Sequence, residues 1–325
     1  MKHLTFWLGT SAALVLFALA AIAYGAVPLS LHAIVAGLAG HGDPATVAIV
    51  RTLRAPRVVL AMLVGAGLGM SGAALQGSLR NALAEPYLLG VSGGAAVGAV
   101  VAVAFGVGGP VLLPIAAFVG AAFAVLVTLL VARVAGGRAD PRVLLMAGVI
   151  VGAFANAAIM VALANAPPNR VRGALWWMMG SVAGADWTSV AWLFGYVVVG
   201  AVLLLWSARE IDVLALGHES AAALGIDVER AGRRVFLLSA LLAAATVAAA
   251  GLVGFVGLVV PHLVRTAGLR RHRALIAGSA ITGGALVVAA DLAARVIRPP
   301  AELPLGAITA LIGVPFFLVQ LRRLS

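Results

Sequence analysis

Long runs without a charged residue alternate with short arginine-rich segments along the chain. The runs are Leu4–Val27, Val58–Leu79, Pro86–Ala132, Val143–Asn169, Trp187–Ser207, Val235–Val264, Ala274–Ala290 and Leu303–Leu321. About 20 apolar residues carry an α-helix across roughly 30 Å of hydrocarbon, so most runs are long enough to span a membrane. Strands of a transmembrane barrel would instead show alternating segments of about ten residues. The pattern therefore predicts a polytopic α-helical membrane protein.

Two of these runs need interpretation before the spans are counted. The run Leu4–Val27 has an apolar core longer than the roughly 7–15 residues of a secretory signal, which favours an uncleaved first span over about 4–27. The run Pro86–Ala132 contains Gly108-Gly109-Pro110, a turn signal that divides it into two spans.

The run Val235–Val264 is too long for one membrane helix and too short for two full ones. Arginines flank it at both ends, so the chain has to cross the membrane and return if both flanks are cytoplasmic. Its glycines Gly251, Gly254 and Gly257 supply a place to bend, which predicts one full span and one short or broken one. We therefore predict ten spans with both termini cytoplasmic, and nine spans as the alternative.

The distribution of basic residues supports this orientation. Fifteen of the 22 Lys and Arg residues fall in segments assigned to the cytoplasm and seven in segments assigned to the outside, as the positive-inside rule requires. The chain is 63% hydrophobic and 10% charged, with a mean hydropathy of +1.13, which excludes a soluble globular protein. The net charge of +11 is explained by the same arginine groups, so nucleic-acid binding is not predicted.

The chain lacks residues that several membrane activities require. It has no cysteine, and its six histidines are scattered without an H-E-x-x-H motif, so neither a metal site nor a catalytic residue is predicted. Its one lysine is Lys2, so it has no phosphate-binding loop, and any ATP that drives it is hydrolysed by another subunit. Asp291 is the clear carboxylate within a span, and its spacing to Arg295 predicts an i,i+4 ion pair. This scarcity of acids argues against an ion-coupled carrier and a membrane enzyme.

Several ordered motifs from about residue 50 onwards resemble one known family. They are RAPR (54–57), the glycine-rich segment 65–76, NALAEPYLLGVSGGA (81–95), WWMMGS (176–181), GLVGFVGLVVPHLVR (251–265) and ELPLG (302–306). This set resembles the permease subunits of bacterial ABC importers for vitamin B12, haem and ferric siderophores, the FecCD-type family.

That resemblance implies an all-α polytopic membrane protein of about ten transmembrane helices, the type II ABC importer permease fold, as a single domain over residues 1–325. It implies a homodimer in the bacterial inner (plasma) membrane, two ATP-binding cassette subunits on the cytoplasmic face and a periplasmic substrate-binding protein. No cofactor is bound permanently, and ATP and Mg²⁺ are used by the partner ATPase. The expected cargo is an iron chelate, haem or a ferric siderophore. Vitamin B12 is the alternative within the family, and an ion-coupled secondary transporter is the alternative outside it.

The longest polar stretch, about residues 208–234, is predicted to be a cytoplasmic coupling loop between the sixth and seventh spans. Within it, two glycines bracket a short helix-forming segment. The segment with its glycines is Gly217-His218-Glu219-Ser220-Ala221-Ala222-Ala223-Leu224-Gly225. The resemblance implies that this is the coupling helix that docks on the ATPase, where a small helix between glycines transmits rigid-body motion. An ordinary solvated loop is the alternative.

Arginines of the outer face form a second candidate site, for docking of the binding protein. The candidates are Arg51, Arg54, Arg57 and Arg295, with Arg298 as a weaker one. The resemblance implies that they pair with carboxylates on the two lobes of the binding protein, and the planar guanidinium suits bidentate binding of a carboxylate. Contact with lipid headgroups is the alternative.

Four residues are candidates for the pathway and its gate. Asn81 and Leu83 match the family's cytoplasmic gate, although turn chemistry also explains Asn81. Asn156 and Met160 lie one turn apart on the fifth span, which lines the pathway in the family, and interhelical hydrogen bonding is the alternative for Asn156. His262 belongs to a Pro-His pair that occurs in the family whatever the cargo, so a structural role is favoured over haem ligation.

Overall fold

The computed structural model describes residues 2–25, 27–107, 109, 111–136 and 141–321, and every regular element in these ranges is helical. A π-helical turn (Ile49–Arg54) joins the helix that ends at Ala48 to the helix that begins at Ala55, and a 3-10 turn (Pro86–Leu89) precedes the helix that begins at Val91. The α-helices are α1 (Lys2–Ala23), α2 (Leu31–Ala39), α3 (Pro44–Ala48), α4 (Ala55–Ser78), α5 (Val91–Ala104), α6 (Leu112–Val134), α7 (Pro141–Ala164), α8 (Pro168–Met178), α9 (Trp187–Trp206), α10 (Ala208–Leu214), α11 (His218–Ala223), α12 (Val228–Ala250), α13 (Val256–Thr266), α14 (His272–Val296) and α15 (Leu305–Leu321).

Seven of the described helices are long and apolar enough to cross a membrane, and three shorter apolar helices accompany them. The shorter ones are α5, α13 and α15. Together they account for the ten predicted spans, and the division of Pro86–Ala132 into two helices is confirmed by α5 and α6. Gly108 and Pro110 of the predicted turn, and Arg138, Arg322 and Arg323 of the cytoplasmic arginines, lie outside the described residues.

The uncharged run Val58–Leu79 is, up to Ser78, part of a longer helix. A continuous helix runs over Pro44–Ser78, because α3, the π-helical turn and α4 follow one another without a break. Arg51, Arg54 and Arg57 lie within this helix, and their guanidinium groups bind partners on other segments.

The predicted bend in Val235–Val264 is confirmed. Helix α12 ends at Ala250 and α13 begins at Val256, so residues 251–255 form a non-helical break between them. Gly251 at its start and Phe255 at its end both have φ of 68°. That value is accessible to glycine at no steric cost, whereas in a bulky residue such as Phe255 it marks a constrained backbone.

Helix α4 forms the centre of the bundle because its glycines let other backbones approach closely. A Cβ atom on Gly65 would lie 2.0 Å from the carbonyl oxygen of Gly283, and one on Gly72 would lie 1.9 Å from that of Gly257. Small residues of this kind allow tight helix contact where no hydrophobic effect drives association. The contacts join α4 to α14 and to α13, the second half of the broken span.

Alanine at Gly72 should therefore destabilise the fold. The added methyl group cannot avoid the backbone of α13, and overpacking of this kind costs about 1–3 kcal/mol. Thermal unfolding in detergent would show a lowered melting temperature. Gly232→Ala on α12 is the matched control, because no atom lies within 4 Å of its added Cβ and helix propensity improves. Equal melting temperatures of the two variants would contradict the close contact between Gly72 and Gly257.

Candidate functional site

The end of the bundle where α1 and α14 end contains a buried ion-pair network around Asp291. Arg57 Nη2 lies 2.8 Å from Asp291 Oδ1, and Arg57 Nη1 lies 2.8 Å from Glu302 Oε1. The side chains of Arg57 and Asp291 are 11% and 3% exposed. Arg295 Nε lies 3.2 Å from Asp291 Oδ2, so the predicted i,i+4 ion pair is confirmed. The Arg57 guanidinium lowers the pKa of Glu302, mainly by hydrogen bonding to its carboxylate.

Two arginines cap the C-terminal end of α1. Arg54 Nη1 donates to the carbonyl oxygens of Ile22 at 2.6 Å and Ala23 at 3.0 Å, while Arg295 Nη2 donates to that of Ala21 at 3.1 Å. The last carbonyl groups of a helix have no partner within it and carry partial negative charge, so a guanidinium group there satisfies both needs. These arginines therefore fix the first helix to the core.

The candidates for docking of a binding protein differ in their accessibility. Arg54, Arg57 and Arg295 are directed at groups of their own chain, as described above. Arg51 is exposed and donates two hydrogen bonds to Leu38 O, at 3.1 and 2.7 Å. Arg298 is exposed on the loop after α14. Docking by these arginines stays a prediction, and Arg51 and Arg298 are the two that the free chain leaves accessible.

Side chains from the last turn of α4 and from the segment that follows it hold the break between α12 and α13 and the first turn of α13. Glu85 Oε1 accepts a hydrogen bond from Phe255 N at 2.7 Å, and the Tyr87 hydroxyl accepts one from Val253 N at 2.9 Å. Gln76 Nε2 donates to Gly257 O at 3.1 Å. Non-helical backbone within a membrane needs such partners, because the hydrocarbon offers none. We call these three side chains the clamp, which was not among the residues predicted from the sequence.

The break also lies against two further chain segments, because a Cβ atom on Gly180 would lie 2.5 Å from Leu252 O and one on Gly306 would lie 2.4 Å from it. Ser181 N donates to Ala250 O at 2.8 Å, Leu305 N donates to Gly180 O at 3.0 Å, and Gly306 N donates to Met179 O at 3.0 Å. Three of the motifs behind the family resemblance, around residues 176–181, 251–265 and 302–306, therefore meet at one point.

The predicted gate residues lie directly beside the clamp. Asn81 Oδ1 accepts a hydrogen bond from Leu83 N at 2.9 Å, forming a turn that presents Leu83 to solvent. Leu83 lines a cavity of about 350 Å³ at this end of α4. Its polar lining consists of Gln76, Arg80, His262, Arg265 and His272. Arg265 also donates to Gln76 Oε1, which connects the cavity to the clamp.

The two pathway candidates lie elsewhere, on one face of α7. Asn156 is exposed, and Met160 is 73% exposed. Neither lines the cavity beside Leu83, so the single chain does not bring the pathway and gate candidates together. In the described residues no group of three His, Asp or Glu side chains could hold a metal ion.

The coupling segment forms a short helix, as predicted. Helix α11 is preceded by Gly217 with φ of 119° and followed by Gly225 with φ of 81°, conformations that favour glycine. Ala221 is buried against α10 and α12, whereas Leu224 at the helix end is 62% exposed. Helix α12 begins at Val228 behind the N-cap Asp227, so the last residues of the predicted polar stretch are helical. Docking of α11 on an ATPase stays a prediction.

Comparison with known proteins gives consistent matches over almost the whole chain. Residues 13–323 match the FecCD transport family. The chain is 44% identical to the cobalamin import system permease protein BtuC of Halobacterium salinarum, over 84% of this chain and 73% of that relative. It is 38% identical to the hemin transport system permease protein HmuU of Yersinia pestis, over 83% and 82%. It is 37% identical to the Fe(3+) dicitrate transport system permease protein FecD of Escherichia coli, over 94% and 95%.

A solved structure matches the fold over the same length. A metal-chelate type ABC transporter in an inward-facing conformation superposes with a TM-score of 0.86 at 28% sequence identity, over 97% of this chain and 98% of the other. The ten membrane helices, the broken span and these relatives agree. The chain therefore belongs to the FecCD transport family and is a permease of an ABC importer.

Proposed function

We propose that this permease carries an iron chelate with acidic groups, haem or a ferric siderophore, from the periplasm to the cytoplasm. It acts as a homodimer in the inner membrane, with both termini cytoplasmic. Two ATPase subunits bind its cytoplasmic face, and a binding protein docks on its periplasmic face. The family supports the ATPase and the binding protein as partners. The absence of a phosphate-binding lysine from the sequence supports ATP hydrolysis by another subunit.

The charge of the cavity beside Leu83 carries the cargo proposal. Arg80 and Arg265 line it, and none of its described lining residues is acidic. The acid next to it, Asp212, is engaged with His272 at 2.7 Å. Two guanidinium groups without an acidic residue in the same described lining favour a cargo with carboxylates. The 44% identity to a cobalamin permease supports vitamin B12 as the second candidate.

The test is uptake and ATP hydrolysis by the chain reconstituted in lipid with its ATPase. Binding protein loaded in turn with haem, a ferric siderophore and vitamin B12 is titrated, and both activities are followed in parallel. We expect haem or the ferric siderophore to stimulate both activities. Stimulation by vitamin B12 alone would overturn the cargo proposal, and no stimulation by any of the three would contradict the proposed assembly.

The α11 segment is proposed to dock on the ATPase through its exposed end. Leu224→Glu should weaken binding of the ATPase about tenfold, because a charge replaces an apolar contact of more than about 1 kcal/mol. Affinity of the purified permease for its ATPase in detergent measures this. Val134→Glu, at a position 88% exposed at the end of α6, is the matched control. Unchanged affinity of the Leu224 variant would place the docking surface elsewhere.

The outer arginines are proposed to have two different tasks. Arg51, exposed on the π-helical turn, contacts a carboxylate of the binding protein, and Arg298 is placed to contribute. Arg54, Arg57 and Arg295 hold together the surface on which Arg51 and Arg298 lie. They contact the binding protein only after they give up their present partners within the chain. The hydrogen bond from Trp187 Nε1 to Arg51 O, at 2.8 Å, supports this arrangement by fixing the backbone at Arg51.

A further inference from the structure

A groove outside the cargo route opens between α6, α7 and α12. It encloses about 460 Å³ where α6 ends and α12 begins. Leucines of α6 form one wall and charged residues form the rim. Its lining includes Leu126, Leu129, Leu130, Arg133, Glu229 and Arg233. The gate and pathway candidates are not among its lining residues, so nothing in the cargo route accounts for it.

The apolar wall of the groove continues the outward-facing stripe of α6. Val119, Phe123, Leu126 and Leu130 are all exposed and recur at helical spacing along the helix. Such a stripe on a membrane-spanning helix faces hydrocarbon. A lipid acyl chain that lies along this stripe therefore leads into the groove, and its headgroup end lies at the last turn of α6.

The rim of the groove carries an excess of positive charge. Arg133 lies in the last turn of α6 and Arg233 near the start of α12, and both are exposed. Neither takes part in an ion pair within the part of the chain that the structure describes. Glu229 lies one turn before Arg233 and offsets one of the two charges, so a single net positive charge remains for a ligand.

We propose that this groove binds one anionic phospholipid, with its phosphate between Arg133 and Arg233 and one acyl chain along the leucines of α6. The rim lies at the end of the spans, at the depth of lipid headgroups. Basic pockets between membrane helices on the arginine-rich face suit lipid phosphates. Binding there joins α6 to α12 through a ligand, so the lipid composition of the membrane adjusts the stability of this part of the bundle.

The test is lipid binding by the delipidated full chain, followed by native mass spectrometry with short-chain phosphatidylglycerol. We expect one tightly retained lipid per chain and binding of phosphatidylcholine about tenfold weaker. The double variant Arg133→Gln with Arg233→Gln should bind phosphatidylglycerol about tenfold more weakly, as expected for the loss of two headgroup contacts. Arg133→Lys with Arg233→Lys should retain most of the binding, which shows that the fold survives changes at these positions.

Two controls separate this site from its rivals. Arg230→Gln removes the same charge from α12 outside the groove, where Arg230 is paired with Asp227, and should leave binding unchanged. Leu130→Trp fills the apolar wall and should weaken phosphatidylglycerol binding without changing the arginines. Displacement of the lipid by inorganic phosphate with no effect of Leu130→Trp would reduce the groove to a phosphate site and overturn the proposal. Equal binding by the double glutamine variant, or occupation of the groove by a second copy in cross-linking, would also overturn it.

Discussion

Alanine in place of Arg57 is expected to lower the free energy of unfolding by about 3 kcal/mol. Asp291 is almost fully buried, and Arg57 satisfies both of its oxygens. Removing one partner of a buried pair leaves an uncompensated charge, which costs about 3–5 kcal/mol. Arg295 stays bound to Asp291 Oδ2, so the lower end of that range applies. Thermal unfolding in detergent, or the amount of folded protein in membranes, measures the loss.

Variants of the same network distinguish the buried charge from the loss of packing. Arg298→Ala removes an exposed arginine from the same face and should leave the melting temperature unchanged. Arg57→Lys keeps a charge but loses the fork that bridges Asp291 and Glu302, so it should fall between the two. Combining Arg57→Ala with Asp291→Asn should lower the melting temperature further, because the buried Arg295, 8% exposed, then loses the carboxylate that it pairs with. A melting temperature that does not change in Arg57→Ala would show that Asp291 is not held by this pair.

The membrane helices could be predicted from the sequence because hydrocarbon imposes one length and one polarity on every span. The same physics predicted the bend after Ala250, where a long run contained glycines. It did not predict that the helix extends through Arg51, Arg54 and Arg57, because charged residues do not belong to an uncharged run. Each of the three guanidinium groups finds an acceptor. Their acceptors, Leu38 O, Ile22 O and Asp291, lie on other segments, and local patterns do not contain that information.

The candidate site was predictable where partners are close in sequence. Asp291 and Arg295 are four residues apart on one helix, so their ion pair follows from helix geometry. Glu85 and its partner Phe255 are 170 residues apart, and only the fold brings them together. A signal was present, however. An ionisable side chain within an apolar motif next to a predicted break is the type of residue that non-helical backbone in a membrane requires.

Replacing Glu85 with alanine is expected to reduce cargo uptake by about tenfold or more while ATP hydrolysis continues. The predicted gate residues Asn81 and Leu83 lie in the sequence between Gln76, which binds Gly257 of α13, and Glu85, which binds Phe255 just before it. The predicted gate is therefore connected to the broken helix on both sides. Loss of the Glu85 carboxylate leaves Phe255 N without its acceptor, at a cost of about 1–3 kcal/mol. Uptake per ATP hydrolysed in proteoliposomes measures the expected uncoupling.

Uptake per ATP hydrolysed should depend on the hydrogen bond that Glu85 accepts and not on its charge. Glu85→Gln keeps an oxygen that can accept from Phe255 N, so it should retain most of the uptake. Tyr87→Phe removes the acceptor of Val253 N and should uncouple in the same direction, whereas Tyr24→Phe, at an exposed tyrosine, should have no effect. If Glu85→Gln were as impaired as Glu85→Ala, the carboxylate charge would be needed instead. If neither variant changed uptake per ATP, the clamp would hold the fold without controlling the gate.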